Sequence, residues 1–246
     1  SRGLGDVYKR QAVAEEKAAE EVKPSHVEMV LVLDESGSMS DLTRDTIGGF
    51  NSMIEKEKKL DVDAHVTTVL FNDQYKMLYN RRELKDVSKM TDKDYTPGGM
   101  TALLDAVGRT IHKMDMVAGI HRKDKGNKVL FVIITDGEEN DSKEYTYADV
   151  KKLIKDRQEN AGWEFIFLGA NIDAAAAAEN LGIDRDRAVK YKNTGSGVRA
   201  NFKAVAELSD SLAKSGRVSD RWKETVEKDE DDAADKQSAA VTSHRR

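Results

Sequence analysis

The sequence predicts an α/β domain built on an open, mostly parallel sheet, doubly wound with helices on both faces. Two observations lead there. The apolar runs at 29–33 and 129–134 are continuous and rich in β-branched residues, without the apolar/polar alternation of a half-exposed strand. They read as central strands covered on two sides. Between such runs the apolar period changes to 3.6, so strands and helices alternate along the chain.

The elements follow in order. After the strand at 29–33, Ile47, Phe50 and Ile54 mark a helix. A more mixed strand is expected at 66–71, and a short edge strand at 77–79. Leu103, Ala106, Val107, Thr110, Ile111 and Met114 fall on one helical face ahead of the strand at 129–134. Tyr147, Val150, Leu153 and Ile154 form the next face, followed by a strand at 163–168. Asp173 is placed to N-cap a helix through the alanines of 174–178. A second short edge strand at 188–191 precedes the stripe Val198, Phe202, Val205, Leu208 and Leu212. No internal repeat is present.

Composition narrows the function classes. The 246 residues carry 40 Lys+Arg against 45 Asp+Glu, a net charge of −5, which argues against a general nucleic-acid binder. No apolar run approaches the ~20 residues that cross a bilayer. With no Cys there is no disulfide framework, thiolate metal site or Cys nucleophile. The missing Cys and the lack of a targeting segment make the expected location cytoplasmic. Asp6 to Gln11 resembles one reading frame of a transposon-derived sequencing adapter, so 1–25 is expected to be that artefact plus a charged linker. The folded unit is expected over 26–216. Residues 217–246, with the acidic run at 229–232, are expected to be a disordered charged tail.

Three loops at predicted strand ends carry the chemistry. In Asp34-Glu35-Ser36-Gly37-Ser38, alternate side chains of an extended segment point the same way, so Asp34, Ser36 and Ser38 can converge. Thr96-Pro97-Gly98-Gly99-Met100-Thr101 delivers Thr101 just ahead of a helix. Thr135-Asp136-Gly137 sets Asp136 at a strand tip. Two carboxylates and three hydroxyls form a hard oxygen set, suited to Mg²⁺, Mn²⁺ or Ca²⁺ and poor for Zn²⁺ or copper. Neutral hydroxyls would leave such an ion electrophilic and open to a carboxylate from outside. Each loop alone has a plainer reading as helix cap or turn. Only their joint placement carries weight.

Together, Asp34-x-Ser36-x-Ser38, Thr101 and Thr135-Asp136-Gly137 resemble the metal-ion-dependent adhesion site of von Willebrand factor type A domains. The motifs stand in the family's order and span the expected folded unit. The resemblance implies that Ser36, Ser38 and Thr101 are inner-shell ligands, with Asp34 and Asp136 acting directly or through water. It also implies a six-stranded sheet with one antiparallel edge strand, for which 77–79 is the candidate. Within the family, the chain is most similar to stand-alone bacterial and phage-type members.

Other features carry less. The run Glu138-Glu139-Asn140-Asp141 reads as a solvated loop adding negative potential at the rim. The loop 193–197 lacks the Lys and Gly spacing of a phosphate cradle and reads as a strand-helix connection. The five His show no ligand or triad spacing and receive no role. An enzyme is not expected. A phosphatase with a nucleophilic Asp34 would want an acid at Ser36, and no Gly-x-Ser-x-Gly elbow is present. The expected function is a monomeric, Mg²⁺-dependent binding module that docks an acidic residue of a protein partner. Loops at 42–44, 91–95 and 138–143 would set its specificity. The alternatives are an assembly scaffold, or an ATPase-associated adaptor, in which the metal only stabilises loops.

Overall fold

The computed structural model describes residues 26–117, 127–219 and 221–228. Six strands form one sheet: β1 (Val27–Asp34), β2 (Ala64–Phe71), β3 (Tyr75–Glu83), β4 (Lys128–Thr135), β5 (Glu164–Gly169) and β6 (Ala188–Lys190), in the order β3-β2-β1-β4-β5-β6. Every neighbouring pair is parallel except β2 with β3. The antiparallel edge strand is therefore β3, nine residues long where the sequence suggested three.

The helices are α1 (Thr43–Lys59), α2 (Leu103–Asp115), α3 (Tyr147–Asp156), α4 (Ala174–Leu181), α5 (Gly195–Ser215) and a last helix, α6, at 222–228. Alternate residues of β1 feed two cores. Met29, Leu31 and Leu33 pack with Phe50 of α1 and with Phe202 and Val205 of α5. Val30 and Val32 pack on the other face with Val107, Ile111, Val150, Ile154 and Ala178 of α2, α3 and α4. All eight residues of β1 are buried, as the unbroken apolar run requires. The α1–α5 seam is close: a Cβ on Gly49 would stand 2.5 Å from the Phe202 ring. Asp173 caps α4 as expected, accepting a 3.0 Å hydrogen bond from Ala176 N–H.

The folded unit does not stop at Gly216. Val218, Trp222 and Val226 join the core beneath α5, with Trp222 and Val226 each 1% exposed. Two apolar side chains four positions apart, set among charges, form one face of α6 and turn the start of the expected tail into part of the domain. Residues 1–25 and 229–246 lie outside the described residues. Among those described, no helix is long and apolar enough to cross a membrane.

The chain runs outward from β1 to β2 and β3, then returns to add β4, β5 and β6 on the other side. The strand order reverses between β1 and β4, where ligand crevices form in open α/β sheets. The loops after those two strands carry Asp34 and Asp136.

Candidate metal centre

Asp34 is the last residue of β1 and Asp136 follows the last residue of β4, so parallel pairing brings two carboxylates to one end of the sheet. Both are nearly buried, at 1% and 2% exposure. Asp34 Oδ1 accepts from Ser36 N–H at 2.7 Å and Oδ2 from the Thr135 hydroxyl at 2.5 Å. Asp136 Oδ1 accepts from the Ser38 hydroxyl at 2.5 Å, and Oδ2 from Asn193 Nδ2 at 3.2 Å. Ser36 and Ser38 share a hydrogen bond of 3.1 Å. Because Ser38 spends its proton on Asp136, Ser36 is the donor of that pair and keeps both oxygen lone pairs free.

Thr101 reaches the same place by a different route. Its N–H donates to Asn140 Oδ1 at 2.9 Å, and its carbonyl accepts from Asn140 N–H at 3.0 Å. Its hydroxyl stands 3.6 Å from where a Cβ on Gly137 would lie, which sets it beside Asp136. The loop carrying it is tied to the first loop by Gly37 N–H to Gly99 O at 3.2 Å and Gly98 N–H to Glu35 O at 2.9 Å. The Tyr95 hydroxyl donates to Asp34 O at 2.6 Å. Asp34, Ser36, Ser38 and Asp136 thus form one hydrogen-bonded chain, with Thr101 adjoining it.

The electrostatics are one-sided. Every hydrogen-bond partner described for the two carboxylates is neutral. Burial pushes the Asp34 pKa up, hydrogen bonds from Ser36 and Thr135 work against that, and the neighbouring Asp136 charge adds to it. Burial and both carboxylates also hold the Tyr191 phenol far above its ordinary pKa. Two desolvated acids with no basic partner among the described residues, beside hydroxyl lone pairs, are a donor set that a divalent cation would neutralise. Asn193 Oδ1 and the Tyr191 hydroxyl, both buried and unpartnered among the described residues, leave further oxygens nearby. The residues present therefore fit a hard divalent ion.

Some expectations need correcting. Glu139 and Asn140 are brackets, not a free acidic rim. The Glu139 carboxylate accepts from the backbone N–H groups of Leu104, Asp141 and Ser142, fixing the start of α2, while Asn140 holds Thr101. Leu42 and Tyr95, from the loops expected to set specificity, are buried at 6% and 1%. The loop at 193–197 is more than a connection. It follows β6 at the same sheet end, Thr194 caps α5, and Asn193 holds Asp136. An amide in a Gly-rich loop carries no sequence signal; the sheet topology was the only clue to its position.

The sheet order, the helix layers and the site at the reversal point define a Rossmann-like von Willebrand factor type A fold. The family model described as "vWA found in TerF C terminus" matches residues 26–185, and the chain belongs to that vWA-TerF-like family. Solved structures share the fold at low identity. The pilus adhesin SpaC from Lactobacillus rhamnosus GG, in its open conformation, aligns with TM-score 0.60 and 14% identity over 79% of this chain and 31% of its own. The vWF domain of the type V pili tip protein Mfa5 from Porphyromonas gingivalis aligns at 0.55 and 12% identity, over 80% of this chain and 99% of that one. The ArnB paralog VWA2 from Sulfolobus acidocaldarius aligns at 0.51 and 17%, over 76% and 46%. This chain spans under half the length of several of these proteins, including 43% of a von Willebrand factor type A protein from Catenulispora acidiphila. A search of curated proteins by sequence found no match.

Proposed function

We propose that the domain is a non-catalytic, divalent-cation-dependent protein-binding module. Asp34, Ser36, Ser38, Thr101 and Asp136 would hold a Mg²⁺-type ion, with Mn²⁺ or Ca²⁺ as substitutes. When bound, the ion supplies a Lewis-acidic coordination position for a carboxylate oxygen of a protein partner. The observation that carries this reading is the pair of buried carboxylates with neutral partners, linked through Ser38 and Ser36. Membership of a family of interaction domains and the fold shared with pilus proteins support it.

One observation separates this reading from that of a scaffold in which the ion only stabilises loops. The three loops are already joined by Gly37–Gly99, Gly98–Glu35, Thr101–Asn140 and Ser38–Asp136 hydrogen bonds, so their geometry has support that does not depend on a cation. A bound ion is then free to serve the partner.

The test is a Mn²⁺ titration followed by electron paramagnetic resonance on wild type and Asp136→Ala, with circular dichroism on both. The expected result is one saturable site that disappears in a folded Asp136→Ala. Equal binding by both proteins, or none by either, overturns the metal-bridge reading.

A further inference from the structure

At the opposite end of β1 lies a second constellation, built from different chemistry. His26 and Glu28 flank the first residue of β1, two positions apart and so on one side of the strand. The β1–β2 register sets Glu28 beside His65. Three ligand-type atoms converge there. His26 Nε2 stands 2.8 Å from His65 Nδ1 and 3.3 Å from Glu28 Oε1, and His65 Nδ1 stands 3.5 Å from that same oxygen. A tetrahedral ion with ligands at ~2.0–2.1 Å sets neighbouring donor atoms roughly 3.3 Å apart. The observed triangle brackets that edge.

The atoms around the triangle hold it in a ligating posture. Asp63 Oδ1 lies 3.0 Å from His26 Nδ1, so the distal nitrogen takes the proton and Nε2 faces the cluster. That carboxylate–histidine arrangement orients metal-binding imidazoles generally. On the far side, Arg81 Nε donates to Glu28 Oε2 at 3.0 Å, and its Nη2 also touches Oε1. Arg81 reaches this position from an irregular stretch of the β2–β3 ladder, with a left-handed φ of +46° and its N–H on Thr67 Oγ1 at 3.1 Å. Bulged residues of this sort redirect side chains. Glu28 is buried, while the His26 and His65 side chains are 19% and 27% exposed, so solvent reaches the open side of the triangle.

We infer that His26, Glu28 and His65 form a second metal site, selective for Zn²⁺ or a similar borderline divalent ion, clipping β1 to β2 at the base of the sheet. Two imidazoles and one carboxylate are a ligand set for zinc-like ions rather than for Mg²⁺. Water would complete the fourth position. Glu28 and Asp34 are six positions apart along β1, roughly 20 Å at a strand's rise, so the two sites are independent.

The rival account of the same atoms is a metal-free ion-pair network. Hydrogen bonding to Glu28 raises the His26 pKa, and burial lowers that of His65. The experiment separates the two. The full chain is stripped with EDTA and titrated with Zn²⁺ in a calorimeter, and with Co²⁺ in a spectrophotometer. The expected result is one Zn²⁺ per chain, retained in Asp136→Ala and weakened at least tenfold in His65→Gln. Asp63→Ala, whose side chain is 74% exposed and dispensable for packing, should weaken it ~10–100-fold. Co²⁺ should show the intense visible absorption of a tetrahedral site, and His65→Gln should lose it. Absence of saturable Zn²⁺ binding by the wild type establishes the ion-pair network and overturns the site. Undiminished binding by both His65→Gln and Asp63→Ala assigns the ion to other side chains and overturns it equally.

Discussion

Ser38 and Asp136 are 98 positions apart in the chain, and a 2.5 Å hydrogen bond from the serine hydroxyl to Oδ1 joins them. That bond links the loop after β1 to the loop after β4 across the point where the strand order reverses. It makes Ser38 both a lock on the Asp136 rotamer and a ligand candidate. Ser38 is exposed, so Ser38→Ala should leave stability within about 1 kcal/mol of wild type. Mn²⁺ affinity should fall roughly tenfold or more, equivalent to about 1.4 kcal/mol. Paired Mn²⁺ titration and urea denaturation check both halves.

Asn193 holds the other oxygen of Asp136 at 3.2 Å. If it acts by orienting that ligand, Asn193→Ala should cost ~10–100-fold in Mn²⁺ affinity, while Asn193→Asp adds a third acid and changes ion preference toward Ca²⁺. Unchanged affinity in both variants, read by the same titration, would remove Asn193 from the site.

Gly99 has a φ of +75°, and a Cβ there would meet Asp73 Oδ1 at 1.9 Å. Its carbonyl also receives the Gly37 N–H. Gly99→Ala should therefore cost about 1–3 kcal/mol and loosen the loop that presents Thr101. Gly98→Ala is the matched control, since a Cβ at Gly98 meets nothing within 4 Å. Chemical denaturation of the two variants gives the comparison directly.

Glu57 of α1 is fully buried against α5. Its Oε2 accepts from Ser209 at 2.8 Å, while Oε1 has no partner among the described residues. Burial raises its pKa from 4.5 to about 7, with the Ser209 hydrogen bond opposing part of the rise. The folded state thus prefers the protonated acid. Its contribution is fully present below about pH 4.5 and is lost as pH climbs through about 7. Glu57→Gln should flatten this decline, so that its melting temperature exceeds the wild type's most clearly at about pH 8. A pH series of thermal melts on the two proteins tests it, and parallel curves would refute the assignment.

Trp222 is 1% exposed beneath α5, beyond the boundary the sequence suggested. Trp222→Ala should cost ~3–5 kcal/mol. Removing the chain after Gly216 should cost at least as much, measured by denaturant unfolding.

The central strands and helical faces were legible because burial on two sides leaves unbroken apolar runs, and one-sided burial leaves a 3.6 period. The full length of β3 was not. Apart from the buried Tyr79 its residues are exposed or part-buried at a sheet edge without a regular alternation, and Lys76, Asn80, Arg81 and Arg82 read as loop. Trp222 and Val226 were hidden among charges, because two anchors on one turn are too few to register as a stripe. At the site, Asp34, Ser36, Ser38 and Asp136 stand out in the sequence because they sit in motifs at strand ends, and Thr101 because a Pro-Gly-Gly loop delivers it just ahead of a helix. Asn193 and Tyr95 have no such flag. His26 and His65 carry no such signal, because spacing rules see only neighbours in sequence. Strand register makes them adjacent across 39 positions.

β1 pairs in parallel with β2 on one side and β4 on the other along nearly its whole length. A force applied at the Asp34 end of β1 along its axis is carried by both neighbouring strands. Such a load falls on both hydrogen-bond ladders in shear, so many rungs must break together instead of one after another. The strand that presents Asp34 is thereby the element of the sheet best placed to resist mechanical extraction.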